Sequence, residues 1–112
     1  MKQSRALTKY VRIAPRKARL AAGLIRGLDV ENAMMQLQYS GLKGGRLLLK
    51  TLKSAIANAE TVHGVQRRDL RVHEVRIDGG PIIKRAKSKN KGGRVPVNKR
   101  TSHLTVIVGT EG

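Results

Sequence analysis

Positive charge is the feature that most constrains this chain, because it is concentrated at the two ends. The sequence has 112 residues and a formal net charge of +17 at pH 7. Residues 1–28 carry eight basic side chains and no acid, and residues 79–112 carry eight against the single acid Glu111. Residues 29–78 carry eight basic and six acidic side chains. Like charges repel in a compact state and attract polyanions. We therefore expect the middle segment to fold and pack, and the ends to form surfaces that bind a polyanion.

Composition excludes several classes of protein. The chain has no cysteine, which rules out a disulfide scaffold, a cysteine zinc site and a thiol nucleophile. No apolar run approaches the roughly 20 residues of a membrane span, and the N-terminus lacks the apolar segment of a secretory signal. We therefore expect a cytoplasmic protein with no membrane partner. Its pI near 11.5 is typical of proteins that bind nucleic acid.

Aromatic side chains are almost absent, with two tyrosines and neither phenylalanine nor tryptophan. Proteins that read single-stranded RNA stack its bases on aromatic rings. The sequence therefore predicts that nucleic acid is contacted through phosphates, sugars and shape.

The first predicted helix begins at Ala14-Pro15-Arg16, because proline suits the first helical position, and Gly27 is its predicted end. Apolar residues at helical spacing predict its buried face: Ala21, Leu24, Ile25 and Leu28. A second row predicts a basic face: Arg16, Arg19 and Arg26, with Lys17 beside it. Guanidinium groups bind phosphate in a bidentate manner, although such a face can also be merely solvent-exposed.

Two more helices are predicted in the middle segment. Asp29 is a good N-cap residue, and the spacing after it predicts a short helix that ends at Ser40-Gly41. A longer helix ends at His63-Gly64 and keeps one apolar face over three turns: Leu48, Leu49, Leu52, Ala55, Ile56 and Ala59. Gly44-Gly45 weakens its start, since glycine costs about 1 kcal/mol relative to alanine inside a helix. We therefore expect this helix to begin after the two glycines.

The hydrophobic period then changes from that of a helix to that of a strand. Residues 70–77 alternate with a one-residue slip near His73-Glu74, which predicts a β-bulge, and residues 101–108 alternate again. The segment from Ile82 to Arg100 is basic and poor in apolar residues. We interpret residues 82–100 as an extended hairpin with a glycine-rich tip, attached to a single globular part formed by residues 1–81 and 101–112.

The predicted hairpin carries no acid and eight positive charges: Lys84, Arg85, Lys87, Lys89, Lys91, Arg94, Lys99 and Arg100. Free loops usually mix both signs of charge. We therefore interpret the hairpin as an arm that lies along a polyanion rather than as a solvated loop. An arm of eight to ten residues would reach about 30 Å.

Nothing in the sequence favours catalysis. His63, His73 and His103 lack metal-ligand spacing, and the side chains of Ser102-His103 would point to opposite faces of a strand. No nucleophile-elbow, zinc-protease or phosphate-loop motif is present. We predict that the protein is not an enzyme and has no catalytic residue, no metal site and no cofactor.

Four separated segments match one known pattern in the same order. They are residues 11–20 with 24–27 (VRIAPRKARL and LIRG), residues 54–60 (SAIANAE), the positions Asp78, Gly80-Pro81 and Lys84-Arg85, and residues 99–106 (KRTSHLTV). Over nearly the whole chain, this pattern resembles the bacterial L22 family of large-ribosomal-subunit proteins.

The resemblance implies an α+β fold, in which three helices pack on a small three-stranded antiparallel sheet and a long basic β-hairpin protrudes. It implies a structural protein that binds large-subunit rRNA, supports early subunit assembly and contacts neighbouring large-subunit ribosomal proteins. The globular part would lie near the exit of the nascent-peptide tunnel. The hairpin would line that tunnel, close to the nascent peptide, and would affect macrolide antibiotics indirectly.

The resemblance also implies two sets of site residues. The rRNA-binding set is Arg12, Arg16, Lys17, Arg19, Arg26, Lys84, Arg85, Lys99, Arg100, Thr101, Ser102 and His103. The exit-tunnel tip is Lys87, Ser88, Lys89, Asn90, Lys91, Gly92, Gly93 and Arg94. This tip departs from the usual family sequence, and we expect Gly92-Gly93 and Pro96 to alter the turn and the register of the arms.

A DNA-binding architectural protein is the alternative that the sequence leaves open, because such proteins also combine helices with basic β-arms. An apolar residue such as Pro96 could act as a wedge between bases. The C-terminal motif and the arginine-lined first helix count against it, since an arm that bends DNA needs neither.

Overall fold

Three helices and two antiparallel sheets make up the fold. The computed structural model describes residues 2–81, 83–88 and 94–110. The helices are α1 (Pro15–Gly23), α2 (Val30–Tyr39) and α3 (Lys43–His63), and a short 3-10 turn covers Arg67–Asp69. The strands are β1 (Gln3–Val11), β2 (Leu70–Gly79), β3 (Ile83–Ser88), β4 (Arg94–Lys99) and β5 (Ser102–Thr110).

The larger sheet has the strand order β1-β5-β2, with both pairs antiparallel. All three helices pack on one of its faces. The core between them is built from fully buried aliphatic side chains, the larger of which are Ile25, Leu37, Leu48, Leu52, Ile56, Leu70, Leu104, Val30, Val72, Val106 and Val108. The predicted α+β fold is therefore confirmed. Strand β1 itself has no alternating signature, since Ala6 is its one buried residue.

The end of α1 differs from the prediction. The helix stops at Gly23, and the next two amides make tighter bonds to carbonyls three residues back. This change rotates Leu24 outward, where it is 39% exposed, while Ile25 is fully buried. Gly27 adopts a positive φ of 77°, and its N–H donates to the carbonyl of Val72 at 3.2 Å. The helix therefore ends early because the chain turns to meet β2.

The start of α3 also differs from the prediction, because the helix begins at Lys43 and includes both glycines. A Cβ at Gly44 would stand 3.3 Å from the Cα of Ala18, and one at Gly45 would collide with the hydroxyl of Ser40. The two glycines let α3 approach α1 and the end of α2 closely. Their packing role outweighs their low helix propensity.

Several local predictions are confirmed. The carboxylate of Asp29 accepts a hydrogen bond from the N–H of Asn32 at the start of α2. Gly64 ends α3 in the left-handed conformation, with a φ of 65°. The register between β2 and β5 shifts between Val72 and Glu74, where the sequence predicted a bulge.

The second sheet is the predicted hairpin, formed by β3 and β4. The pairs run without a shift from Ile83↔Lys99 to Ser88↔Arg94. Pro96 pairs with Ala86 inside this ladder, so the expected disturbance of register is not found in the described arms. Proline is tolerated because both strands of a two-stranded ladder are edge strands. The tip from residue 89 to residue 93 lies outside the described residues. The longest dimension of the molecule is 63 Å, against 25 and 17 Å for the other two.

Candidate nucleic-acid interface

The hairpin joins the globular part at a tightly bonded junction. The N–H of Gly80 donates to the carbonyl of Thr101 at 2.9 Å, and the hydroxyl of Thr101 donates to the carbonyl of Pro81 at 2.7 Å. A Cβ at Gly80 would stand 2.5 Å from that hydroxyl, so glycine permits the close approach. The hydroxyl of Ser102 donates to the carbonyl of Ile13 at 2.7 Å. These bonds tie both arms of the hairpin to the domain.

This junction buries two of the residues that were predicted to bind rRNA. Thr101 and Ser102 are buried, and their hydroxyl groups donate to carbonyls of the chain itself. They therefore position the hairpin and do not belong to the exposed surface. The sequence shows them as polar neighbours of a basic run, and it cannot reveal that they are buried at the start of β5.

His103 is half-buried and is bonded to the bulge of β1. Its Nδ1 accepts a hydrogen bond from the N–H of Tyr10 at 3.1 Å, and the two rings meet edge to face with centroids 4.9 Å apart. Tyr10 has a φ of 57°, in the left-handed region that non-glycine residues seldom adopt. Because Nδ1 accepts this bond, the neutral imidazole carries its proton on Nε2.

Two arginines of the predicted basic row lie against the free edge of β2. Arg19 donates to the carbonyl of Ile77 at 3.2 Å, and Arg26 donates to the carbonyl of Val75 at 3.1 Å. Carbonyls at alternate positions of an edge strand point outward and need partners or water. Each of these arginines thus satisfies one edge carbonyl and keeps further N–H donors for a ligand, since a guanidinium has five.

The other predicted basic residues of the globular part meet around the base of the hairpin. One groove, which we call the basal groove, is lined by Arg12, Ile13, Lys17, Leu20, Leu42, Lys43 and Arg100, together with Ala14 and Gly44. A neighbouring groove is lined by Ala14, Pro15, Arg16, Arg19 and Arg100. Arg100 belongs to both. The fold therefore joins the basic first helix to the basic end of the hairpin, which lie more than 70 residues apart in the chain.

Sequence reasoning missed Lys43. Its ammonium group donates to the carbonyl of Arg12 at 3.1 Å, which fixes it beside the basal groove. The residue stands in the nearly balanced middle segment, where a lone lysine has no distinguishing pattern. Only the packing of the start of α3 against α1 brings it to the basic ends.

Acidic side chains lie elsewhere. Glu60 pairs with Arg67 at 3.3 Å, and Glu74 pairs with Arg76 at 2.9 Å. The hydrogen bond from Arg76 to Glu74, reinforced by the charge of that carboxylate, raises the pKa of the Arg76 guanidinium. Among the residues that the structure describes, no acid lines either groove. Both grooves therefore have the charge that attracts phosphate.

The hairpin supplies the remaining predicted residues. Lys84, Arg85, Lys87 and Ser88 lie on β3, and Arg94 and Lys99 lie on β4. The register places Lys84 opposite Asn98 and Arg85 opposite Val97. The tip residues Lys89, Asn90, Lys91, Gly92 and Gly93 lie outside the described part of the chain.

Neither a metal centre nor a membrane span is formed by the described residues. Within residues 2–81, 83–88 and 94–110, no group of three or more histidines and acids is placed to hold a metal ion. A helix of the length and apolar character needed to cross a membrane is also absent from that part of the chain.

Comparison with known proteins gives a consistent result. The family model for ribosomal protein L22p/L17e matches residues 6–109. "Large ribosomal subunit protein uL22" of Protochlamydia amoebophila is 66% identical over 108 residues, covering 96% of this chain and 97% of the relative. The protein of the same name from Chlamydia abortus is 61% identical over 105 residues, covering 94% and 95%. That from Chlamydia trachomatis serovar L2 is 57% identical over 108 residues, covering 96% and 97%.

Proposed function

The chain belongs to the family of ribosomal protein L22p/L17e, and from this premise we propose that its basic grooves bind large-subunit rRNA while its hairpin lines the nascent-peptide exit tunnel. Membership makes it a protein of the large ribosomal subunit with a structural role and no enzymatic one. Its place of action is the cytoplasmic ribosome, among other large-subunit proteins.

The observation that carries rRNA binding is the convergence of basic side chains from distant segments around Arg100. The basal groove and its neighbour share this arginine, and their linings include Arg12, Arg16, Lys17 and Lys43. Such a surface suits a folded RNA, whose phosphates approach from several directions, better than a single extended strand. The scarcity of aromatic residues supports contact through phosphate and shape.

The hairpin's role in the tunnel rests on its form and charge together with the family resemblance. Its arms pair continuously over six residue pairs, and the segment contains no acid. A narrow basic ribbon can pass between rRNA helices and bring its tip, from Lys87 to Arg94, to the tunnel wall. There it would meet the nascent peptide and affect macrolide binding indirectly.

Sedimentation and salt titration test the rRNA proposal. The endogenous protein should co-sediment with the large subunit in gradients at high magnesium concentration. If the protein neutralises roughly eight phosphates, a plot of the logarithm of its affinity for rRNA against the logarithm of the salt concentration should have a slope of about −6 to −7. A slope near zero would rule out the electrostatic interaction.

Deletion of residues 87–94 tests the tunnel proposal. The shortened protein should fold and bind rRNA, because the basic grooves lie outside the deletion. Ribosomes that carry it should differ in nascent-chain stalling or in macrolide binding. Unchanged stalling and unchanged macrolide binding would contradict the proposed role of the tip.

Binding to DNA is the competing function, and family membership counts against it. Binding to DNA would account for the basic β-arms, which architectural DNA-binding proteins also have. Recovery of the endogenous protein with the nucleoid, rather than with the large subunit, would favour it.

A further inference from the structure

The basal groove contains more than a set of charges. It is a half-open groove of about 730 Å³, which is large enough to receive a small organic group. Its lining alternates between cations and aliphatic side chains, the latter being Ile13, Leu20 and Leu42. A surface that contacted only phosphates would need no such aliphatic part.

Two of the three aliphatic side chains that line the groove are exposed, whereas Ile13 is buried in the core. Leu20 is 63% exposed, and Leu42 is 36% exposed. The residues of α1 that are buried in the core are instead Ala18, Ala21 and Ala22. A ligand that covered these leucines would gain roughly 25 cal/mol of binding free energy for each Å² of apolar surface removed from water.

Four separate segments of the chain each contribute one basic side chain to the rim of the groove. Arg12 follows β1, Lys17 lies on α1, Lys43 begins α3, and Arg100 follows β4. The N-caps of α1 and α3, Ala14 and Leu42, also line the groove, and neither makes a side-chain capping bond. Neither helix has an acid in its first turn. The positive ends of two helix dipoles therefore add to the four cations.

We propose that the basal groove holds one unstacked nucleotide of the large-subunit rRNA, with its phosphate on the cationic rim and its base against Leu20 and Leu42. This inference rests on the proposed function and specifies the ligand of that site. Arginine planes stack on bases, and apolar side chains pack on bases that have left the stack, so contact with a single base does not require the aromatic rings that this chain lacks. A segment of a neighbouring protein fits less well, because it would have to bring several acids to satisfy the rim.

Affinity for large-subunit rRNA tests the aliphatic contact. Leu20→Asn should weaken binding about tenfold, since a leucine largely covered on binding contributes that much, and it should leave the salt slope unchanged. Val62→Asn is the matched control, because Val62 is a 72%-exposed apolar residue on α3 that does not line the groove. Equal affinity of the two variants would overturn the inference. Failure of the unaltered protein to bind rRNA would instead overturn the proposed function.

Salt dependence tests the rim in the same assay. Lys17→Gln should make the log–log slope shallower by about 0.7 to 0.9, as expected for the loss of one phosphate contact. Lys53→Gln, on an exposed position of α3 outside the groove, should leave the slope unchanged. An unchanged slope for Lys17→Gln would overturn the placing of a phosphate at Lys17, and an unchanged slope for Arg100→Gln as well would overturn the proposed rim contact.

Cross-linking identifies the occupant in the assembled subunit. A photoreactive phenylalanine in place of Leu20 should cross-link to one unpaired rRNA nucleotide, mapped by a stop of reverse transcription. Cross-links to a neighbouring ribosomal protein, or to many paired rRNA positions, would overturn the assignment.

Discussion

Two antiparallel strand pairs from separate sheets differ in what surrounds them. One, which we call the inner half, pairs β2 with β5, and the other, the outer half, pairs β3 with β4. Helices pack on the inner half, where Leu70, Val72, Leu104 and Val106 are buried. The outer half has only its own two strands in the ladder. An isolated two-stranded hairpin is marginally stable in water.

This difference shows that backbone pairing alone does not assign a strand to the core. The two sheets are separate, and one backbone hydrogen bond at the junction joins the N–H of Gly80 to the carbonyl of Thr101. Across this junction the sequence changes from apolar to basic. The inner half is stabilised by burial, whereas the outer half has the composition of a segment that an external polyanion would stabilise. Stability should therefore respond to changes in the inner half and not to changes in the outer half.

The largest expected effect is on the inner side. Leu52 is fully buried on α3, so Leu52→Ala should lower the free energy of unfolding by about 2–5 kcal/mol, measured by chemical denaturation. The deletion of residues 87–94 should leave that free energy unchanged. Destabilisation by the deletion of the same size as that by Leu52→Ala would show that the outer half is part of the core.

The junction should have an intermediate effect. Ser102→Ala removes the donor to the carbonyl of Ile13 in a fully buried position. An unsatisfied buried acceptor costs about 1–3 kcal/mol, so the melting temperature followed by circular dichroism should fall. Ser54→Ala, at an exposed position of α3, is the matched control and should leave it nearly unchanged. Equal melting temperatures for the two variants would place the junction outside the cooperative unit.

The sequence predicted those helices and strands that are marked by a regular spacing of apolar residues within the element itself. Periodicity predicted α2, α3, the bulged β2 and β5, because the apolar residues of each lie on one face. Strand β1 was not predicted from its residues, since an edge strand with a single buried residue, Ala6, has no alternation. The early end of α1 and the inclusion of Gly44 in α3 depend on contacts with β2 and with Ala18, which local spacing does not contain.

The candidate site was predictable to a similar extent. Arg12, Lys17 and Arg100 were assigned from the sequence, and the fold brings them to one groove. Lys43 could not be assigned, because its place depends on the packing of α3 against α1. The burial of Ser102 could not be predicted, since a polar residue beside a basic run gives no sign of it.

The smallest expected effect separates two arginines that look equivalent in the sequence. Arg26 donates to the edge carbonyl of Val75, whereas Arg16 lines a groove. Because Arg26 is exposed, Arg26→Met should lower the free energy of unfolding by only about 0.5–1 kcal/mol, and Arg16→Met should leave it unchanged. In rRNA binding the order should reverse, with Arg16→Met making the salt slope shallower by about 0.7 to 0.9. If both variants changed stability and salt slope alike, the basic row would act as one surface, and the division between structural and RNA-binding arginines would be wrong.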